Sequence, residues 1–331
     1  MKFSEITIKP VSGFGTPLKG DTISGQFCWQ AKLDPSLFKQ GFEATLKKYQ
    51  KKPFAIFSSA FLKLKDLYVF KRPSVPVSFF KKNNEQSRKE NIKKAKQEKS
   101  KEWMLIKDIS MIDLSETEFV NEKELSKLLP PQNKALQKNN EFAKAFSQTH
   151  NTVNRLTQTT AKGEFAPYIC ENIFYYTQAR LSLFVIFDSD FITLESIKKG
   201  LQNIGQWGFG KDASTGMGRF NVEELTELNL PKTENANACY TLAPFVPEKD
   251  TYDSIYSKIF VRFGKHGASA ALKNPFKNPV IMADESAVMV PENMEDTLKK
   301  TYIGQGLTKL SKSIEETIAQ GYAPYIPLKT E

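Results

Sequence analysis

An α+β chain of two units is the architecture this sequence predicts, and three features predict it. Arg180 to Phe187, RLSLFVIF, is a strongly apolar strand. Directly after it, Leu194, Ile197, Leu201 and Ile204 recur at helical spacing behind Thr193, a residue type that caps helix starts. The length of 331 residues suits two domains, since domains usually hold about 100 to 200 residues.

The remaining elements follow in chain order. Residues 2 to 10, KFSEITIKP, set Phe3, Ile6 and Ile8 among polar neighbours and stop at Pro10, the pattern of a half-buried first strand. From Asp21 to Trp29, Ile23 and Phe27 share a helical face, with Asp21 positioned to cap the helix start. Phe54 to Phe61 and Leu62 to Val69 read as a short strand leaving the core through a segment stiffened by Pro73 and Pro76. Between Lys81 and Lys101, nine Lys or Arg residues stand against three Glu with hardly a large apolar group, so this basic insertion is expected to be a flexible arm or a solvated helix. Helical texture runs from Ser115 to Asn140, broken at Pro130 and Pro131, before a polar stretch from Thr149 to Thr160. After the strand and helix already named, Arg219 to Val222 reads as the last strand of the unit.

Strand, helix, strand, insertion, strand, helix, loop, strand is the order of the ferredoxin-like, RRM-like split βαβ. The prediction is therefore two ferredoxin-like (RRM-like) domains. The first covers 1–230, with an insertion at about 81–145 and a glycine-rich loop at 205–220. The second, degenerate one covers 231–331. Its strand-like pieces are Ala238 to Val246, Ile255 to Phe263, Val280 to Val290 and Thr317 to Leu328, and Leu307, Leu310 and Ile314 allow a helix before the last.

Composition narrows the function classes. Forty-seven Lys and Arg against 37 Asp and Glu give a net charge of +10, which favours a polyanionic partner. Cys28, Cys170 and Cys239 are far apart and lack CxxC spacing, so neither a disulfide framework nor a zinc site is indicated, and a reducing cytoplasm fits. The sequence shows neither a leader pattern nor an apolar run long enough to span a bilayer, so a soluble, unsecreted protein without a membrane partner is expected. His150 and His266 are the only histidines, which limits metal chemistry and histidine-based acid-base catalysis. No cofactor and no metal is expected.

The stretch Gly205 to Phe220, GQWGFGKDASTGMGRF, holds five glycines and two cations in sixteen residues. Glycine permits positive φ and close approach, so amide N–H groups can converge on an anion while Lys211 and Arg219 add charge. Gly205 to Lys211 satisfies the first seven positions of a P-loop, but Asp212 replaces the magnesium-holding Ser or Thr, and the loop follows a helix instead of opening one. A dinucleotide fingerprint fails at Ala213. The reading left is a loop tracking a nucleic-acid backbone, with Ser214 or Thr215 bonding phosphate oxygens. Trp207 or Phe209 either stacks a base or packs beneath the loop.

GFGKDASTGMGRF resembles the mark of the RAMP proteins of CRISPR effector complexes, a glycine-rich loop between the last helix and strand of a ferredoxin-like domain. TPLKGDTISGQFCW at 16–29, HNTVNRLTQTT at 150–160 and NPVIMADESAVMV at 278–290 narrow the resemblance to the type III-A (Csm) subunit that caps the crRNA 5′ handle, and AQGYAPYIPL at 319–328 extends it. The resemblance implies a cytoplasmic, non-catalytic antiviral-defence subunit that binds crRNA and joins the large polymerase-domain subunit to the backbone filament RAMP subunit. It also implies that Gly208, Gly210, Lys211, Ser214, Thr215, Gly216, Gly218 and Arg219 lie against handle phosphates. His150, Asn151, Asn154 and Arg155 would contact RNA nearby, as would Lys19 and Ser24 at the start of the first helix. The chain departs from the commoner form at Lys211-Asp212-Ala213.

Some relatives in that superfamily cut RNA with a histidine near the same loop, and His150 is the candidate here. It has no identifiable acid partner in the sequence, and His266 fits a turn. A crRNA-processing endoribonuclease is the alternative reading. Asp108, Asp113, Asp284 and Glu285 could pair for a metal but are expected to be isolated surface acids.

Overall fold

The computed structural model describes residues 1–76, 79, 100–130, 141–160, 162–231, 235–267 and 274–330. Up to residue 230 the chain forms β1 (Lys2–Pro10), α1 (Gly20–Leu33), α2 (Phe42–Lys48), β2 (Ala55–Leu64), β3 (Leu67–Lys71), β4 (Trp103–Ile106), β5 (Ile112–Asp113), β6 (Glu118–Val120) and α3 (Glu122–Leu128). It continues through β7 (Ala143–His150), β8 (Tyr168–Tyr175), β9 (Arg180–Phe187), α4 (Leu194–Trp207) and β10 (Phe220–Leu228). Then come β11 (Ala238–Thr241), β12 (Tyr252–Tyr256), β13 (Ile259–Arg262), β14 (Val280–Ala283), β15 (Val288–Pro291), α5 (Met294–Leu298), β16 (Tyr302–Leu307) and β17 (Ala319–Lys329).

The main sheet has seven strands in the order β10-β1-β9-β2-β3-β4-β6. Its first four, β10-β1-β9-β2, are all antiparallel to their neighbours, with α1 leading from β1 to β2 and α4 from β9 to β10. Period-two alternation sends each strand to two cores. On β9, Leu181, Leu183, Val185 and Phe187 join Ile23, Phe27, Ile197 and Leu201 of the helices, whereas Phe184 and Ile186 point the other way. There they meet Tyr240, Val288, Ile326 and Leu328 of a second sheet, ordered β12-β15-β11-β17-β16. A sheet buried on both faces explains why RLSLFVIF is apolar throughout instead of alternating. Helix α4 begins as predicted, with the Thr193 hydroxyl accepting from the Ser196 amide at 3.1 Å.

Charge at the seam between the sheets is neutralised in place. Glu5 is 2% exposed and accepts from Lys63 Nζ at 2.7 Å, Tyr68 Oη at 2.8 Å and the Ser182 hydroxyl. Glu285 accepts from Lys71 Nζ at 2.5 Å and lies 3.3 Å from Lys19 Nζ, which also binds Asp284. Burial pushes both carboxyls up. Asp284 stays raised, while Glu285, hydrogen-bonded by Asp284 and facing both lysines, is held down at about 2. Asp284 and Glu285 are thus structural ion partners and not the isolated surface acids expected.

Other expectations need correction. Asp21 does not cap α1: the N-cap is Lys19, and the Asp21 carboxylate receives Arg262 Nε and Nη2 at 2.7 and 2.9 Å. Residues 101–121, within the span expected as an insertion, are built into the sheets, because β4 and β6 extend the main sheet and β5 runs parallel to β17. Most of the basic stretch 81–101 lies outside the described residues. Ile255 to Phe263 and Val280 to Val290 each split into two strands, and the helix expected around Leu307 is replaced by β16, which pairs with β17 through Leu307↔Ala319. Among the described residues of 231–331 the one helix is α5.

Phe184 is fully buried between the sheets. Phe184→Ala is expected to lower unfolding free energy by about 3–5 kcal/mol in a urea titration; a change under ~1 kcal/mol would contradict the double-sided core. Lys19→Met, which strands Asp284 and weakens the Glu285 site, is expected to cost about 3 kcal/mol by the same measurement.

Candidate nucleic-acid interface

The glycine-rich loop is held by the first turn of the chain. The Gly218 amide donates to Gly13 O at 2.7 Å, the Phe209 amide to Gly218 O at 2.9 Å, and the Arg219 amide to Ser12 Oγ at 2.9 Å. Lys211 N donates to Thr16 Oγ1 at 2.9 Å, which fixes the loop's apex. Gly218 has φ +74°, and a Cβ there would stand 2.1 Å from Phe209 O, so only glycine fits. Gly208, at φ +103°, ends α4 as its C-cap. Phe209 is 1% exposed and packs in the core, whereas Trp207 is 73% exposed. Phe209 thus packs beneath the loop, and Trp207 does not.

Accounting for the amides alters the expected arc. Gly208, Phe209, Lys211, Thr215, Gly216, Met217, Gly218 and Arg219 all spend their N–H groups inside the protein. Among the described residues, the amides of Gly210, Asp212, Ala213 and Ser214 carry no such bond. They surround a left-handed Asp212, at φ 61°, and the single 3-10 turn Ala213–Thr215. The solvent-facing donors are therefore fewer than the glycine count suggested, and they cluster beside Lys211.

The second component is the β7–β8 hairpin, which the polar run at 149–160 did not reveal. It docks on the turn before α1 through reciprocal bonds between Phe14 and Ile173, at 2.8 and 2.9 Å. Lys211 Nζ reaches Cys170 Sγ on β8 at 3.0 Å. That bond, with Asp212 and Tyr168 nearby, raises the Lys211 ammonium above its ordinary range, so the side chain stays cationic. Cys170 pairs with Gln148, and two residues further toward the tip His150 pairs with Tyr168, their rings stacked at 5.4 Å. The hairpin carries Phe146, Phe174 and Ile169 exposed, with Leu156 at the tip 95% exposed. The Asn172 side-chain oxygen is buried without a donor among the described residues, 3.0 Å from where a Gly15 Cβ would stand.

Of the sequence-predicted residues, the fold brings Gly208, Gly210, Lys211, Ser214, Thr215, Gly216, Gly218 and Arg219 together in one loop, with His150 close by on the hairpin. Asn151, Asn154 and Arg155 lie at the hairpin tip, where Asn154 Oδ1 accepts from Leu156 N at 2.9 Å and orders the turn. Lys19 and Ser24 do not join them. Lys19 is bound to Asp284 and Glu285 and sits 4.8 Å over the Phe260 ring, and Ser24 is 2% exposed inside the α1 core face. Thr16, Ser12, Cys170 and Tyr168 were missed. Their signal was adjacency to Gly13 and Gly15 and a faint period-two pattern in residues 168–175. Among the described residues no group of three or more His, Cys, Asp or Glu could hold a metal ion, and no helix is long and apolar enough to cross a membrane.

No family model matches the sequence, and no curated protein matches it either. Solved structures match its fold. A chain in the crystal structure of the Csm3–Csm4 subcomplex in the type III-A CRISPR-Cas interference complex superposes with a TM-score of 0.55 at 16% identity, covering 99% of each chain. Chains from the Csm1–Csm4 cassette in complex with cA4 and with pppApA give TM-scores of 0.58 and 0.55 at 14% identity, covering 100% of this chain and 99% of theirs. Csm4 is the protein common to these structures. From end to end, this chain has the fold of a chain found in these type III-A CRISPR-Cas subcomplexes.

Proposed function

We propose that the protein is a cytoplasmic, non-catalytic subunit of a type III-A CRISPR interference complex, the counterpart of Csm4, which grips the crRNA 5′ handle and joins a Csm1-like large subunit to a Csm3-like filament subunit. The observation that carries this reading is the docking of the β7–β8 hairpin beside the glycine loop, which sets Lys211, the free amides of 212–214 and the exposed Tyr168 on one surface. Cations and amides would neutralise and bond phosphate oxygens, and the rings beside them would stack unpaired bases. The full-length likeness to chains crystallised with Csm1 and with Csm3 supports those two partners. On this reading residues 1–230 are a ferredoxin-like RAMP unit, supported by the order β10-β1-β9-β2 with its two helices, and 231–331 a second, degenerate unit.

The competing endoribonuclease reading rests on His150. Its ring stacks on Tyr168, and it makes no hydrogen bond among the described residues. Metal-free cleavage needs a base aligned with the 2′-hydroxyl whose proton it takes and an acid to protonate the leaving oxygen, so a ring held by stacking supports contact over catalysis. Purified protein incubated with repeat RNA in EDTA is expected to leave the RNA intact; defined fragments lost in His150→Ala would establish the nuclease instead. Replacing Lys211 and Arg219 together with Ala is expected to weaken binding of repeat-derived handle RNA and to reduce the log–log salt slope by roughly 0.7 per lost phosphate contact. An unaltered slope would remove the loop from the interface.

A further inference from the structure

A cavity of about 440 Å³ opens between α1, α2 and the 308–318 segment, unused by the function proposed above. Its body is apolar, walled by Cys28, Trp29, Leu46, Ile314 and Ile318. Its polar groups are sorted by depth. Glu43, Glu315 and Glu316 are exposed at the rim together with Lys32 and Lys47, whereas His266, 6% exposed, and the half-buried Lys277 line the wall. Among the described residues no carboxylate lies within ion-pair distance of Lys277, because Asp21, the nearest buried acid in its field, is taken by both nitrogens of Arg262. Trp29 is likewise occupied on its face by Lys32, 5.4 Å from the ring centre.

We propose that this cavity binds a small organic anion, an apolar or aromatic body seated against Trp29 and Leu46 with a carboxylate, phosphate or sulfonate directed to Lys277. The volume lies in the range of about 300–1,000 Å³ typical of small-molecule sites, and an apolar wall with few convergent polar groups is their usual make-up. A buried ammonium without a counter-charge is costly, and an anion seated against it recovers that cost. Burial already pushes the Lys277 amine down from its ordinary value, and burial with Lys277 and Lys32 nearby pushes His266 down too, which favours the neutral imidazole at pH 7. His266 Nε2 is engaged with Ser311 Oγ at 2.8 Å, which leaves Lys277 as the group that recognises charge.

The test uses the full chain and two fluorescent probes that share a body and differ in charge: 8-anilinonaphthalene-1-sulfonate and its uncharged analogue N-phenyl-1-naphthylamine. Both are expected to bind saturably. Lys277→Met, which keeps the stem that packs 3.1 Å from where a Gly264 Cβ would stand, is expected to weaken the sulfonate by about tenfold or more while leaving the neutral probe within about twofold. Gly25 lines the cavity with open space at its Cβ, so Gly25→Phe fills the cavity and is expected to abolish binding of both probes with the circular dichroism spectrum unchanged. Equal loss of both probes in Lys277→Met, undiminished sulfonate binding there, or undiminished binding in a folded Gly25→Phe would each overturn the proposal.

Discussion

The pairing of β1 with both β9 and β10 is the constraint on which the rest of the molecule depends. β1 lies between those two strands, antiparallel to each, with register running from Lys2↔Phe187 on one side and Phe3↔Leu228 on the other. The chain leaves β1 at Pro10 where β10 begins at Phe220, so the turn 11–16 and the loop 208–219 emerge at the same end of neighbouring strands. Their mutual bonds, Gly218 to Gly13, Arg219 to Ser12 and Lys211 to Thr16, are the continuation of that ladder into irregular chain. The loop's shape is thus a product of sheet register, and its glycines answer to backbone contacts within the protein before they answer to any ligand.

That ordering of demands changes how a glycine-rich stretch is read. Gly205, Gly208, Gly210 and Gly218 would each bring a Cβ within about 2.5 Å of another atom, whereas Gly216 faces open space and is required by its φ alone. Close packing accounts for most of the composition, and the outward-facing donors reduce to a short run at the apex. Charge from Lys211 and Arg219, and the hairpin rings beside them, carry as much of the surface's chemistry as the main chain does.

The parts legible in the sequence were those whose neighbours are close in sequence or whose burial is extreme. Strand β1, strand β9, helix α4 and the loop stood out because Pro10, the RLSLFVIF run, the Thr193 cap and the glycine cluster are local signals. Strand β4 was hidden because WMLI is short and follows a basic stretch, and only Phe70↔Met104 pairing across a long excursion makes it a strand. The hairpin β7–β8 was hidden because it is exposed on both sides for most of its length, so its side chains show no core pattern. The surroundings of Lys19 and Asp21 were hidden because their partners, Asp284, Glu285 and Arg262, lie more than two hundred residues away, and those of Ser24 because the local pattern did not resolve its burial.

The loop's anchors, at 11–16, 170–173 and 208–219, come from stretches separated by most of the first 220 residues. During synthesis on the ribosome, residues 11–16 can meet 170–173 before β9 is made, but the bonds of Gly218 and Arg219 to the same turn must wait for the end of the loop, and such non-local pairing is intrinsically slow. The surroundings of the loop are therefore completed only once the chain has passed Arg219.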